Sequence, residues 1–351
     1  MTTTKVGRRQ FLKATVASGV AALATPFVSS SSRADQSLVF VGFGGSYQKG
    51  QSKALFEPFE KETGIKIIQR EGIDLAKVKA QLQSGGGVDW DLAGIVDRQR
   101  YAAVNDGLLM PLDYDVINAQ DIPKNLVTEY AVGAIITGWA LCYDKTAFPA
   151  GGPQSWADFW STSKFQGPRG MWNGAPQQLE FALIADGVPK DQLYPLDVER
   201  AFKSLSRIKS SVKVWWDNTS QTGVLFKSGE IVASPWTRGA DSARAGEPIS
   251  FTYNEACMSY EAWVVPKGAK SAVNSMKFIN WALDPKRQAD LTKYTSFGPT
   301  NPKAMQHVDP AVKPLLASDP ENYKKGFFLD GEWWGKNLDK VSEQWKEWQL
   351  S

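Results

Sequence analysis

The sequence predicts an α/β protein built as two lobes. Strand-like and helical segments alternate along most of the chain, the pattern of a mainly parallel sheet with crossover helices. The 351 residues, less an N-terminal leader of 34, leave about 317, more than one hydrophobic core usually serves. No segment after the leader offers about 18 consecutive apolar residues, so no membrane span is expected there.

Taken in order, Ser37 to Phe43 is rich in strand formers and ends in Gly44-Gly45-Ser46. Ala54, Leu55, Phe56 and Phe59 mark one face of a helix over Lys53 to Glu62, which Gly64 closes as a C-terminal cap. Ile65 to Ile68 is the next strand, Leu75 to Leu82 a helix ended by Gly85-Gly86-Gly87, and Asp91 to Val96 a third strand. Ile135 to Tyr143 is apolar and strand-like, and the turn Pro149 to Pro153 follows it. A second α/β run opens at Trp156. It carries helices at Gln177 to Ala185 and Asp197 to Ser210 and a strand at Ile231 to Ser234. Tyr260 to Val265 is again a strand, and helices follow at Ala272 to Leu283 and Lys286 to Tyr294. There is no internal repeat.

The first 34 residues have the order of a cleavable export signal. Gly7-Arg8-Arg9-Gln10-Phe11-Leu12-Lys13 resembles the twin-arginine motif, with Gly7 where Ser or Thr is commoner. A weakly apolar stretch, Ala14 to Val28, is too short to span a bilayer, and Ser32-Arg33-Ala34 offers a small-residue cleavage site near Ala34. The leader holds five basic residues and no acid. What remains has 35 basic and 37 acidic residues, a net charge of −2, so nucleic acid is not an expected partner.

Two cysteines, Cys142 and Cys257, are too few for a disulfide framework; both lie in apolar, strand-like segments that suit buried thiols, and an export compartment would permit a bridge. One histidine, His307, and two distant cysteines make neither a zinc nor a Cys-His constellation, so no metal and no cofactor are expected.

Several stretches together carry a family resemblance: Leu55-Phe56-Glu57-Pro58-Phe59-Glu60-Lys61-Glu62-Thr63-Gly64-Ile65-Lys66, Trp90-Asp91-Leu92, Asp106-Gly107-Leu108-Leu109 and Ser155-Trp156-Ala157-Asp158-Phe159-Trp160. Ala262-Trp263-Val264-Val265-Pro266-Lys267-Gly268-Ala269-Lys270 and Phe297-Gly298-Pro299-Thr300-Asn301 complete the series. In this order and spacing the chain resembles the bacterial extracellular solute-binding family that contains the spermidine/putrescine-binding proteins. The resemblance implies the type II periplasmic-binding-protein fold, with two α/β lobes joined by two crossing strands and a ligand cleft between them. The crossings are expected near Ile135 to Tyr143 and Ser259 to Val265. One lobe would hold residues 37–138 and 261–298, the other 139–260 and 299–351. It further implies a non-enzymatic periplasmic receptor, a monomer that serves an inner-membrane ABC permease.

The same resemblance points to ligand contacts at Gly45, Ser46 and Tyr47 after the first strand, at Trp236, and at Phe297 and Trp334, with Trp139 and Trp172 as further aromatic candidates. Asp97 and Arg98 follow a buried strand and are expected at its cleft end. Arg238 lies two residues after Trp236. Glu261 stands where polyamine-binding relatives have an acid that holds an ammonium. Those relatives also carry a pair of acids where this chain has Trp172-Asn173-Gly174-Ala175-Pro176-Gln177, a stretch without one, in which Gln177 is a further candidate ligand contact. Each buried ammonium needs a counter-charge or strong acceptors. With Arg238 in the cleft, an ω-amino acid such as γ-aminobutyrate fits better than putrescine or spermidine: Arg238 forks onto the carboxylate, Glu261 takes the ammonium, and aromatics including Trp236 pack the chain. A sugar-like or other small organic solute is the alternative ligand. No P-loop, GxSxG or metal-ligand cluster favours an enzyme.

Overall fold

The computed structural model describes residues 36–351; the leader with its paired arginines and cleavage site lies outside the described residues. Strand β1 (Ser37–Gly42) pairs in parallel with β2 (Lys66–Glu71) and β3 (Leu92–Val96). Long β4 (Val132–Asp144) and β8 (Ile249–Val264) run antiparallel to each other. On the far side β7 (Ala233–Trp236) joins β4, and β5 (Arg169–Trp172) and β6 (Val212–Trp216) continue the sheet in parallel, giving the order β2-β1-β3-β8-β4-β7-β5-β6. Each half is thus a small three-stranded α/β unit, and β4 and β8 are shared. At ~3.3 Å per residue the 13 residues of β4 reach ~43 Å, enough to pass through both halves.

The crossing pair is where the expected architecture is met and extended. Glu261 to Val264 pair with β3 in the first half, while Ile249 to Thr252 pair with the end of β4 in the second. The return strand therefore starts eleven residues before the Tyr260 expected from sequence. Between Trp139 and Leu141 the β4–β8 register shifts, and on β8 Glu255 takes a positive φ of 56°. The bulged Glu255 is held from outside: its carboxylate and carbonyl accept the backbone and indole N–H of Trp156.

The first helix also starts earlier than the Lys53 read from sequence. It runs from α1 (Gly45–Gln51) through a π-turn at Ser52–Phe56 into α2 (Glu57–Thr63), and Gly64 caps it in the left-handed conformation as expected. Helices α3 (Leu75–Gln83), α4 (Asp97–Asn105), α5 (Trp156–Trp160), α6 (Gln178–Ala185), α7 (Val198–Ile208), α8 (Thr219–Lys227) and α9 (Gly239–Arg244) then alternate with the strands.

Aromatic packing builds both cores. In the first half Phe56, Phe59 and Trp263 surround Phe278 of α10 (Ala272–Ala282), with Phe56 and Phe59 centred 5.6 and 5.2 Å from it, and Phe40 packs on Phe56 and Trp263. In the second, Trp156 stacks on Phe181 at 3.8 Å. Cys142 and Cys257 are both buried, and neither is in a disulfide.

After α11 (Pro285–Leu291), β9 (Gly298–Pro299) pairs with the first half of β4, and Thr300 and Asn301 bond to Gln288 of α11. The short α12 (Pro320–Tyr323) and β10 (Phe327–Phe328) lead to α13 (Gly331–Leu350), twenty residues not distinguished in the sequence reading. Its tryptophans account for much of the chain's aromatic excess. Trp345 and Trp348 pack edge-on against Trp215 of β6, and Trp334 donates to Glu180 of α6. Residues 300–316 therefore pack beside α11, while α13 packs on the second half.

Candidate functional site

A cleft of about 530 Å³ lies between the two halves of the sheet, lined by strand ends and helix starts from both. From the first half come Phe43 to Tyr47 at the β1–α1 turn, Val96 at the end of β3, Tyr101 of α4, Glu261 on β8, and Phe297. From the second come Trp139, Trp172, Gln177, the β6–α8 junction from Trp216 to Ser220, Thr237 and Arg238, and Trp334 of α13. Cleft binding at the carboxyl ends of strands is the general rule for open α/β sheets.

The turn that presents Tyr47 depends on glycine. Gly44 and Gly45 have φ of 76° and 64°, and a side chain on Gly44 would also run into the Glu71 carboxylate. Tyr47 is buried, and its hydroxyl bonds to the Glu261 carboxyl. Gln51, one helical turn on, donates to the Tyr47 hydroxyl at 3.0 Å and lies 3.5 Å from Glu261 Oε1. Gly94 on neighbouring β3 leaves room for this carboxyl, since a Cβ there would overlap Glu261 Oε1.

Glu261 is 3% exposed. Burial pushes its carboxyl up to about 8, against the downward pull of the Tyr47 and Gln51 hydrogen bonds. Burial and the neighbouring Glu261 carboxyl likewise hold the Tyr47 hydroxyl well above its ordinary range.

From Glu261 a continuous wall leads to the cationic end. Tyr47 meets Phe297 edge-on at 5.2 Å, and the Arg238 guanidinium sits 5.9 Å over the Phe297 ring. Arg238 is paired with Asp241 at 3.0 Å and donates to Ser46 Oγ at 3.3 Å, so it reaches across from the second half to the first. Asp241 accepts the backbone N–H of Ser296, and Arg244 donates to the carbonyl oxygens of Thr292 and Lys293. These are contacts between α9 and the first half. On the opposite wall Trp139 stacks on Trp216 at 5.8 Å with an interplanar angle of 7° and tilts against Trp172 at 5.7 Å.

Of the residues expected from sequence, Gly45, Ser46, Tyr47, Trp139, Trp172, Gln177, Arg238, Glu261, Phe297 and Trp334 line the cleft. Asp97 and Arg98 open α4 directly after β3; Val96 and Tyr101 are the lining residues described there. Trp236 does not line it. Its ring is buried against Phe226 behind α8, and its indole N–H donates to the Thr219 carbonyl at 2.7 Å. It anchors the first turn of α8. Sequence reasoning missed Asp217 to Ser220, although Asn218 followed by Thr and Ser after a strand-like Trp215-Trp216 is a helix-start signature. Asn218 caps α8 through the Ser220 N–H, and Asp217 accepts from the Asn173 side chain.

A second, more open depression of about 730 Å³ lies around Glu62, Trp281 and Arg287. There Glu62 pairs with Arg287, which stacks on Trp281 at 4.5 Å. Its lining comes from α2, α10, α11 and the loop at His307, with no strand end among it. The inter-lobe cleft is the better ligand site.

The comparisons agree with this geometry. The γ-aminobutyric acid-binding protein of Pseudomonas aeruginosa PAO1 is 30% identical over 332 residues, covering 92% of this chain and 93% of that protein. The crystal structure of an ABC transporter substrate-binding protein from Bradyrhizobium japonicum USDA 110 matches with a TM-score of 0.84 at 34% identity, covering 89% of this chain and 99% of that one. The periplasmic binding protein AgtB of A. tumefaciens R10, solved with agropinic acid, matches at 38% identity with a TM-score of 0.78, covering 90% and 99%. The family model described as bacterial extracellular solute-binding protein matches residues 54–324. On the fold, the inter-lobe cleft and these matches, the chain belongs to the bacterial extracellular solute-binding protein family.

Proposed function

We propose that this protein is the periplasmic receptor of an ABC importer and that it captures an ω-amino acid of the γ-aminobutyrate type. The observation that carries the reading is the wall joining a buried acid to a base, Glu261–Tyr47–Phe297–Arg238. An ammonium would sit by Glu261, a carboxylate by Arg238, and a short methylene chain against the aromatic faces. The γ-aminobutyric acid-binding relative supports the same choice. A diamine or triamine fits less well, because Arg238 would face one of its cationic ends, residues 172–177 supply no acid, and Asp217, the acid that the second half does bring to the cleft, already accepts from Asn173. The relative solved with agropinic acid favours a second reading, a larger organic acid in the same cleft.

Three finer points belong to the proposal. The lobes are residues 37–138 with 261–298 and residues 139–260 with 299–351, and the bonds of Thr300 and Asn301 to Gln288 of α11 support giving the start of the last segment to the first lobe. Export uses the twin-arginine leader, with cleavage near Ala34. The receptor works as a monomer with its permease. Replacing Arg8 and Arg9 together by Lys should leave the precursor in the cytoplasm, and normal export of that variant would refute the twin-arginine reading.

A thermal-shift panel of γ-aminobutyrate, putrescine, spermidine, agropinic acid and common sugars tests the ligand class. A ligand at a hundred times its dissociation constant adds about 2.7 kcal/mol, or about 4 °C for a chain of this size. The expected response is to γ-aminobutyrate. A shift with sugars alone would overturn the amine reading.

A further inference from the structure

Helix α9 of the second half meets the first half at a place away from the cleft lining. Arg244 donates to the Thr292 carbonyl at 2.7 Å and to the Lys293 carbonyl at 3.3 Å, and Asp241 accepts the backbone N–H of Ser296 at 2.6 Å. The two carbonyls lie at the C-terminal end of α11, at its cap Thr292 and the next residue. A cation is favoured on the last acceptors of a helix, and here it comes from the other lobe. Neither Asp241 nor Arg244 lines the cleft, and neither do Thr292, Lys293 and Ser296. The second oxygen of Asp241 holds Arg238 at 3.0 Å, so one carboxylate joins the cation of the cleft to the bridge between the halves.

Each of these inter-lobe bonds has a charged partner, which makes it stronger than a neutral one. A rotation of the lobes about β4 and β8 would break them together. No ligand in the cleft takes part in them, so they favour the closed arrangement whether or not the cleft is filled. We propose that Asp241 and Arg244 form a closure latch outside the ligand site, and that this latch sets affinity for every ligand through the fraction of free receptor that is closed. Apparent affinity scales with the population of the binding-competent form, so a contact made only on closing strengthens binding without touching the ligand. The inference rests on the two-lobe receptor reading and holds for any class of ligand.

Small-angle scattering of the ligand-free protein tests the latch. Arg244 is exposed, so Arg244→Ala removes two of the bonds without opening the core, and it should raise the radius of gyration above that of the wild type. Arg244→Lys keeps a cation at the same helix end and should fall between the two. Asp241→Asn keeps an oxygen for the Ser296 N–H and should stay nearer the wild-type radius than Asp241→Ala. In calorimetry Arg244→Ala should lower the affinity for γ-aminobutyrate about fivefold, and lower that for any other panel ligand the wild type binds by the same factor within about twofold. A ligand-free Arg244→Ala protein with the wild-type radius would overturn the proposal. So would a loss of affinity confined to one ligand, which would make Arg244 a ligand contact. If the wild type binds nothing in the panel, the ligand reading fails, and the ligand-free scattering still decides the latch.

Discussion

Glu261 sets a pH dependence that can be worked out before any ligand is seen. In the free protein its buried carboxyl is pushed up to about 8, so at neutral pH most molecules hold it protonated. A cationic ammonium beside it favours the carboxylate, so binding at pH 7 should release close to one proton. Ionising the carboxyl costs about 1 kcal/mol at pH 7 and about 3 kcal/mol at pH 5.5. A desolvated charge partner is worth about 2–5 kcal/mol. The pair therefore wins at neutral pH and fades in acid. Affinity for γ-aminobutyrate should rise roughly tenfold per pH unit between pH 5.5 and 7 and flatten above about 8. Stability of the ligand-free protein runs the other way. A raised carboxyl favours folding fully below its unfolded value near 4.3, and that contribution is lost as pH rises through about 8. Calorimetry in buffers of different ionisation enthalpy counts the released proton directly. Glu261→Gln should weaken binding by about 2–5 kcal/mol and abolish both the pH slope and the proton release. An affinity independent of pH from 5.5 to 8 in the wild type would refute the assignment of Glu261 as the ammonium's partner.

Other variants probe the rest of the cleft. Arg238→Gln should cost γ-aminobutyrate about 2–5 kcal/mol while leaving putrescine unchanged or improved, read by titrating both ligands. Trp236→Phe removes the indole bond to Thr219, so unfolding should show a loss of about 1 kcal/mol in stability with less than a threefold change in affinity. Trp139→Ala, on the cleft wall, should instead lower affinity at least tenfold. Gly331 opens α13 where a Cβ would overlap the Tyr101 hydroxyl of the first half. Gly331→Ala should prop the lobes apart, raising the radius of gyration of the ligand-bound protein in scattering and weakening binding. Tyr101→Ala in the same chain should restore closure, and a failure to restore it would place the effect elsewhere.

The strands and helices with clean periodicity were legible in the sequence. The apolar run Ile135 to Tyr143 lies within β4, and Gly64 caps its helix as read. The first half of β8 was not legible, because Ser250, Thr252, Asn254 and Glu255 give it no apolar run and a bulge with positive φ interrupts it. The start of the first helix was hidden for a similar reason: Gly45 to Gln51 is small and polar because it faces a ligand cleft as well as a core. Within the site, the positions at Gly45 to Tyr47, Trp236, Phe297 and Trp334 came from the family resemblance, and only Asp97 and Arg98 from their place after a strand. The side a strand residue faces needs the register. Trp236 pairs opposite Ala140 with its ring on the core side, whereas Thr237 and Arg238, past the strand's end, reach the cleft. The positive φ of 66° at Gln177 is a backbone angle that no spacing rule reports.

A crystal structure of the protein grown with γ-aminobutyrate tests the central claim most directly. The account predicts the ligand nitrogen within hydrogen-bonding distance of a Glu261 carboxyl oxygen and the ligand carboxylate on the Arg238 guanidinium, with the methylenes against Tyr47 and Phe297. A ligand bound in this cleft with the nitrogen remote from Glu261, or bound outside the cleft altogether, would contradict it.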